Sequence, residues 1–214
     1  MANKFKKVSK AQSKKQEDDK ILRTAMGLGL IAIVIIVVFI VYGSNKQNTG
    51  TSQTAPQQTS SQNTSQLQQK VQSDEKTAQA NPKDYTAQKT LGNSYYDLGF
   101  AYLQAKNAQD STTNFSKAVE TYQKALAMNF DINVQTDMAT AAFYGNQPDI
   151  ADAAFKKAIE KEPEFYTARI NYGIFLRDAK GDKAGAKAQF EYVANQNKDT
   201  NNKGQAQDLL KTLN

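Results

Sequence analysis

The chain has 214 residues, 39% of them apolar, and contains neither cysteine nor histidine. Their absence excludes disulfides, thiolate nucleophiles, the common zinc sites and the serine–histidine and cysteine–histidine catalytic pairs. The formal net charge is +6, but residues 1–23 carry eight Lys and Arg against three Asp and Glu, and the sequence from Gly43 onward is nearly neutral. The basic character therefore belongs to a terminal tail, and we predict no nucleic-acid-binding surface, no metal site and no cofactor.

Residues 24–43 are predicted to form a transmembrane helix that follows the basic tail, residues 1–23. From Ala25 to Tyr42 the chain is an unbroken run of 18 apolar or glycine residues, and this run would span about 27 Å of a hydrocarbon core of ~30 Å. A cleavable signal peptide is the alternative, but its apolar stretch is normally about 7–15 residues long. The positive-inside rule keeps the tail in the cytoplasm. We therefore expect a single-pass signal anchor in the plasma membrane, contacting the bilayer through residues 24–43, with the rest of the chain extracytoplasmic.

Residues 44–66 are predicted to be a flexible linker, because 19 of these 23 residues are Ser, Thr, Gln or Asn and none is a large apolar residue. The following residues, 67–82, are predicted to contain a helix that ends at Asn81-Pro82, in the manner of a half-repeat. At the other end, residues 198–214 are predicted to supply a capping helix.

The region between these helices, residues 83–197, repeats one pattern of small and aromatic residues three times. In the first helix of each predicted hairpin a small residue recurs: Gly92, Ala139 and Gly173. In the second helix a small residue precedes an aromatic one by four positions: Ala118 with Tyr122, Ala151 with Phe155, and Ala186 with Phe190. The aromatic residues, together with Tyr95, are predicted to lie in the interhelical core.

This pattern resembles the tetratricopeptide repeat, whose period is 34 residues. The steps along Ala118, Ala151 and Ala186 are 33 and 35 residues, and Pro82 and Pro163 stand where that family places a helix-ending proline. The resemblance implies an all-α fold, a superhelix of about three helical hairpins with flanking helices, tethered by the transmembrane helix. In layout and repeat type the chain also resembles bacterial inner-membrane proteins of the translocon-accessory and cell-division-coordinator type.

The first hairpin departs from the regular repeat by 14 extra residues, which we place near residues 100–117. The apolar spacing around them predicts that both helices continue through the insertion. A protruding tip is expected near Lys106 to Asn114, with Asp110 or Ser111 capping the second helix.

The resemblance implies a function in protein binding and not in catalysis, since this family mostly holds extended peptides or partner helices in the groove lined by the first helix of each hairpin. The positions that would line this groove are Lys89, Asn93, Tyr96, Thr136, Thr140, Phe143, Ile170, Ile174 and Arg177. Lys89 and Asn93 match a carboxylate clamp known in some members, but Asp137 and Thr167 depart from it.

We therefore expect a membrane-anchored scaffold or chaperone-like adaptor whose partners are other proteins or extended peptides. The alternatives are a secreted or cytosol-facing peptide receptor and, less favoured, an enzyme using carboxylates or a Ser–Lys pair. Self-association stays open.

Overall fold

A computed structural model describes residues 56–196 and 200–213, and all of these residues lie in one compact unit. The basic tail and the predicted transmembrane helix lie outside the described residues, as does the predicted linker up to residue 55. In the described part no helix is both long enough and apolar enough to cross a bilayer.

Every regular element in the described part of the chain is an α-helix, which confirms the predicted all-α class. In chain order the helices are α1 (Pro56–Ala80), α2 (Tyr85–Gln104), α3 (Ala108–Met128), α4 (Ile132–Tyr144), α5 (Pro148–Lys161), α6 (Tyr166–Asp178), α7 (Lys183–Gln196) and α8 (Thr200–Lys211). Each helix packs mainly on the helices before and after it in sequence. Three hairpins result: α2 with α3, α4 with α5, and α6 with α7.

Helix α1 begins about ten residues earlier than predicted, so the assignment of residues 56–66 to a flexible linker is wrong. Pro56 occupies the first helical position, where its missing N–H costs nothing. Further along, Val71 and Ala78 are buried, so packing holds the second half of the helix. Once a helix is nucleated, each added residue gains one backbone hydrogen bond, so even a polar stretch can prolong it. Gln68, in the middle of α1, donates to the hydroxyl of Tyr102 on α2 at 2.5 Å.

The two helices of the first hairpin have 20 and 21 residues, against 13 and 14 in the second. Each is therefore seven residues longer. The predicted cap of α3 at Asp110 or Ser111 is wrong, because the N-cap is Asn107, whose side chain accepts from the backbone N–H of Asp110 at 3.2 Å. Asp110 instead lies in the first turn, where its charge favours the helix dipole. Ser111 is buried and donates to the carbonyl of Gly99 at 3.0 Å.

The core lies where small residues on one helix meet rings on the next. Tyr95, Tyr122, Phe155 and Phe190 are all buried, as predicted. A Cβ built on Gly92 would lie 2.5 Å from Cδ1 of Tyr122, so only glycine permits this approach of α2 to α3. Gly173 and Phe190 form the same kind of contact between α6 and α7.

Candidate protein-interaction surface

The three predicted groove residues on α2 all have partners within the domain. The ammonium of Lys89 is 2.8 Å from Asp131, the N-cap residue of α4. Asn93 accepts a hydrogen bond at 2.8 Å from the hydroxyl of Tyr122 on α3. The ring of Tyr96 packs edge-on against Phe100 and other rings of the first hairpin, with centroids 4.9 Å apart in that pair. These side chains hold neighbouring helices in register as well as facing outward.

On α4 and α6, four predicted groove residues are buried: Thr136, Thr140, Ile170 and Ile174. Thr140 accepts a hydrogen bond from Asn171 of α6 at 3.3 Å, so these two helices meet directly at this point. The four side chains therefore lie in helix packing and are closed to a partner in this arrangement.

The remaining two predicted residues lie toward the far end of the same helices. The ring of Phe143 is half-buried between Tyr144 and Phe175, at centroid distances of 4.8 and 5.6 Å. Arg177 pairs with Asp178 at 2.6 Å and donates to the hydroxyl of Thr212 at 2.8 Å. Its guanidinium thus connects α6 to the segment that follows α8.

Two aspartates complete what we call the α2–α4–α6 face, the side formed by the first helix of each hairpin. Five accessible residues, all on α2 and α4, define it: Lys89, Asn93, Tyr96, Asp97 and Asp137. Asp97 is exposed on α2, and Asp137 is half-buried on α4. Among the described residues neither carboxylate has a hydrogen bond or an ion pair. The two charges are close enough to act on each other and on the phenol of Tyr122. Lys70 acts on Asp97 and Lys89 on Asp137 at a distance, but for each carboxylate burial outweighs this attraction and raises its pKa. This face therefore offers two carboxylates without an ion-pair partner of their own.

The electrostatics of α4 differ sharply between its N-cap and its second turn. Partial burial of Asp131 raises the pKa of its carboxyl, but hydrogen bonds from Lys89, Tyr85 and two backbone N–H groups outweigh this and hold the pKa well below its ordinary value. Six residues later, burial and the charges of Asp131 and Asp97 raise the pKa of Asp137 to about 6, with only partial relief from Lys89. One aspartate is therefore fully compensated, whereas the other lacks a counter-charge of its own.

A Ser–Lys pair does occur, between α1 and α2, but its geometry is that of a packing contact. Lys70 donates to Ser94, whose hydroxyl is fully buried and itself donates to Asp74. A buried hydroxyl in this position has no room for a substrate carbonyl. Elsewhere within the ranges the structure covers, no group of three metal-ligating side chains comes together.

Sequence reasoning did not select Asp97 and Asp137 as site residues. Asp97 adjoins Tyr96, which was selected, and Asp137 was identified only as a departure from the carboxylate clamp. For Asp137 the signal was its charge at a position where the clamp has an uncharged residue; for Asp97 the pattern of the repeat gave no signal, because Asp178 stands at the same position of the third hairpin.

No family model matches the chain, and no curated protein is significantly similar to it.

Proposed function

We propose that the described helices form a tetratricopeptide repeat domain that binds a segment of another protein on the α2–α4–α6 face. In this proposal the protein is a scaffold or chaperone-like adaptor and has no catalytic role. Support comes from three successive helix hairpins. In two of them the paired helices approach closely where a glycine of the first helix lies against an aromatic ring of the second. Domains of this kind act by presenting an extended surface, and the chemistry of that surface selects the partner.

The observation that carries the proposal is the pair of carboxylates of Asp97 and Asp137. A charge held in a half-buried position without a counter-charge costs folding free energy, and its pairing with a cation on binding would recover that cost. Next to them the ring of Tyr96 is half-buried, so a cationic side chain bound at this point would also contact an aromatic edge or face. The favoured partner is therefore a protein segment that presents a lysine or arginine.

Photo-cross-linking in cells tests this assignment. A photoreactive residue at Asn93 should link the full-length protein to a partner. Two control positions should give no link: Lys124 on α3, behind this face, and Lys106 in the loop between α2 and α3. Asp97→Asn combined with Asp137→Asn removes the charges and keeps the shape, so it should abolish the link at position 93. Alanine at Tyr96 would be a poorer test, because that ring also packs against Phe100. Equal linking from positions 93 and 124, or a link unaffected by the double substitution, would contradict the proposal.

The second part of the proposal concerns location. We infer from the uncharged residues 24–43 that the domain is anchored in the plasma membrane and faces away from the cytoplasm. A reporter fused after Asn45 should be active only outside the cytoplasm, and the protein should remain at full length in the membrane fraction. Loss of about 43 residues would instead indicate a cleaved signal peptide, and a reporter active in the cytoplasm would indicate the cytosol-facing receptor.

A further inference from the structure

A second surface lies on the side of α4 opposite the α2–α4–α6 face, and it is made of different residues. Here α3 and α5 flank an open groove of about 550 Å³, with α4 at its floor. This volume is within the usual range for ligand sites, about 300–1,000 Å³. We call it the α3–α5 groove; its apolar lining comprises Leu126, Ala127, Met138, Ile150 and Ala153.

The floor of the α3–α5 groove contains an unsatisfied hydrogen-bond acceptor. Gln135 is only 1% exposed, and its amide N–H donates to the carbonyl of Ala154 at 3.1 Å. Its side-chain oxygen, Oε1, is buried and has no hydrogen-bond partner. A buried acceptor without a donor costs about 1–3 kcal/mol, so a donor brought by a ligand at this point would recover free energy.

The equivalent groove of the first hairpin has a different lining. It lies between α1 and α3, with Gln88 of α2 at the position of Gln135, and its volume is about 570 Å³. On its α3 side stand Lys117, Glu120 and Thr121. In α5 the residues at the same repeat positions, 33 places later, are Ile150, Ala153 and Ala154. Three polar positions of the first hairpin are thus apolar in the second. Ala154 is buried, but Ile150 and Ala153 are exposed, so helix packing does not require an apolar residue at those two positions.

In the third hairpin the corresponding place is filled from within. Arg169 of α6 stands at the position of Gln135, donates to Gln189 of α7 at 3.0 Å, and lies over the ring of Tyr192 with its guanidinium carbon 3.6 Å from the ring centroid. It also donates to the carbonyl of Pro163 at 2.7 Å. The three equivalent places therefore differ. The first carries Lys117 and Glu120, the third is occupied by an arginine, and the α3–α5 groove is lined mainly by apolar residues, together with Gln123, Asp149 and Lys157, around an acceptor without a partner.

We propose that the α3–α5 groove binds a tryptophan side chain presented by a partner protein. An indole combines a large apolar surface with a single N–H that donates and never accepts, so one acceptor at the floor satisfies it completely. Thioether contacts with aromatic rings are favourable, and Met138 lines the groove. The chain contains no tryptophan, so the occupant comes from another molecule. Since Oε1 is closed to solvent, the N–H reaches it only when the lining shifts, and the unbranched side chain of Met138 suits that movement.

The absence of tryptophan also provides a direct assay with the full-length protein. N-acetyltryptophanamide, excited where tyrosine does not absorb, should shift its emission to shorter wavelength and saturate as protein is added. Its benzothienyl analogue keeps the bicyclic shape but has sulfur in place of the N–H. In competition the analogue should bind about 2- to 10-fold more weakly, the equivalent of one net hydrogen bond of about 0.5–1.5 kcal/mol.

Two variants locate the binding. Ile150→Lys with Ala153→Glu gives the groove the lining of the first hairpin at two exposed positions, and it should lower affinity for the tryptophan probe at least tenfold with an unchanged melting temperature. Gln135→Met should make the two probes bind equally, whereas the matched change Gln88→Met in the first hairpin should leave both affinities as they are.

Equal binding of the tryptophan probe to the wild type and to the Ile150→Lys, Ala153→Glu variant would overturn the groove assignment. Equal binding of the two probes to the wild type would overturn the role of Gln135, and that comparison needs no variant to fold. Because neither substitution touches the α2–α4–α6 face, cross-linking from position 93 reports separately on the function proposed there.

Discussion

The first two hairpins share one framework but differ in how their helices meet. In the first, α2 brings Gly92 directly under the ring of Tyr122. In the second, Ala139 occupies the position of Gly92 and is fully buried, with Phe155 on the neighbouring helix at the position of Tyr122. The same architecture therefore accepts either a glycine or an alanine, provided that the spacing of the two helices is adjusted to the side chain.

The first hairpin also differs from the second in its extra length, which contributes to the core. The longer helices of the first hairpin add a cluster of rings around Phe115, whose centroid lies 5.0 Å from that of Phe100 and 5.3 Å from that of Tyr144 on α4. Phe115 is fully buried, so the insertion extends the core as well as the surface. The comparison teaches that the repeat positions set the framework, while the insertion and the surface residues distinguish one hairpin from the next.

The largest expected effect is the loss of a buried ring, and it tests whether the inserted part of the core contributes as much to stability as the repeated part. Phe155→Ala in the second hairpin and Phe115→Ala in the first should each lower the free energy of unfolding by about 3–5 kcal/mol, because both rings are fully buried. Chemical denaturation followed by circular dichroism measures both. A loss below about 1 kcal/mol at Phe115 would show that the insertion is an appendage and would break the comparison.

A smaller effect should come from exchanging the two small residues. Gly92→Ala places a Cβ against Tyr122 and should destabilise by about 1–3 kcal/mol through overpacking. Ala139→Gly creates no clash and should cost about 1 kcal/mol, mainly through helix propensity. The same denaturation experiment compares them. If Gly92→Ala proved neutral, the close approach of α2 to α3 would not depend on glycine.

The small and aromatic residues that recur in the hairpins are the positions that the sequence predicted best, because their fixed spacing indicates contacts between neighbouring helices. Exposure on the helix faces was predicted less well. Thr140 and Ile174 match the groove positions of the family but are buried, since α4 and α6 lie against each other at a distance that no sequence spacing encodes. The start of α1 was missed for a related reason. Composition shows that residues 56–66 lack an apolar face, but not that an adjoining packed helix will propagate into them.

The two aspartates of α4 should respond to pH in opposite directions. Asp137 has a pKa of about 6 in the folded protein, above the unfolded value of about 3.9, so its contribution to stability is greatest below pH 4 and is lost as the pH rises to 6. Asp137→Asn should therefore raise stability at pH 7 by about 1–2 kcal/mol, allowing for its partial exposure. Thermal melts between pH 4 and pH 7 measure this.

Asp131 supplies the opposite control, because its pKa lies below the unfolded value. Its stabilising contribution is present above pH 4 and disappears on further acidification, so Asp131→Asn should lower stability at pH 7. If Asp131→Asn and Asp137→Asn changed stability at pH 7 by the same amount and in the same direction, Lys89 would stabilise both carboxylates equally. The argument that Asp137 lacks a cation, which a partner would supply, would then fail.

The smallest effect concerns the turns that close the two hairpins. Lys106 in the first and Asn146 in the second both adopt positive φ, at 58° and 57°. Asparagine tolerates this left-handed conformation better than lysine does, and glycine tolerates it best. Lys106→Gly should therefore stabilise the protein by about 1 kcal/mol, and Asn146→Gly by only a few tenths of a kcal/mol, since the freedom that glycine adds to the unfolded chain offsets part of each gain. Differential scanning calorimetry of the two single variants resolves the difference. An identical gain at both turns would mean that the turns are equally strained, and that the difference between the hairpins lies only in their helices.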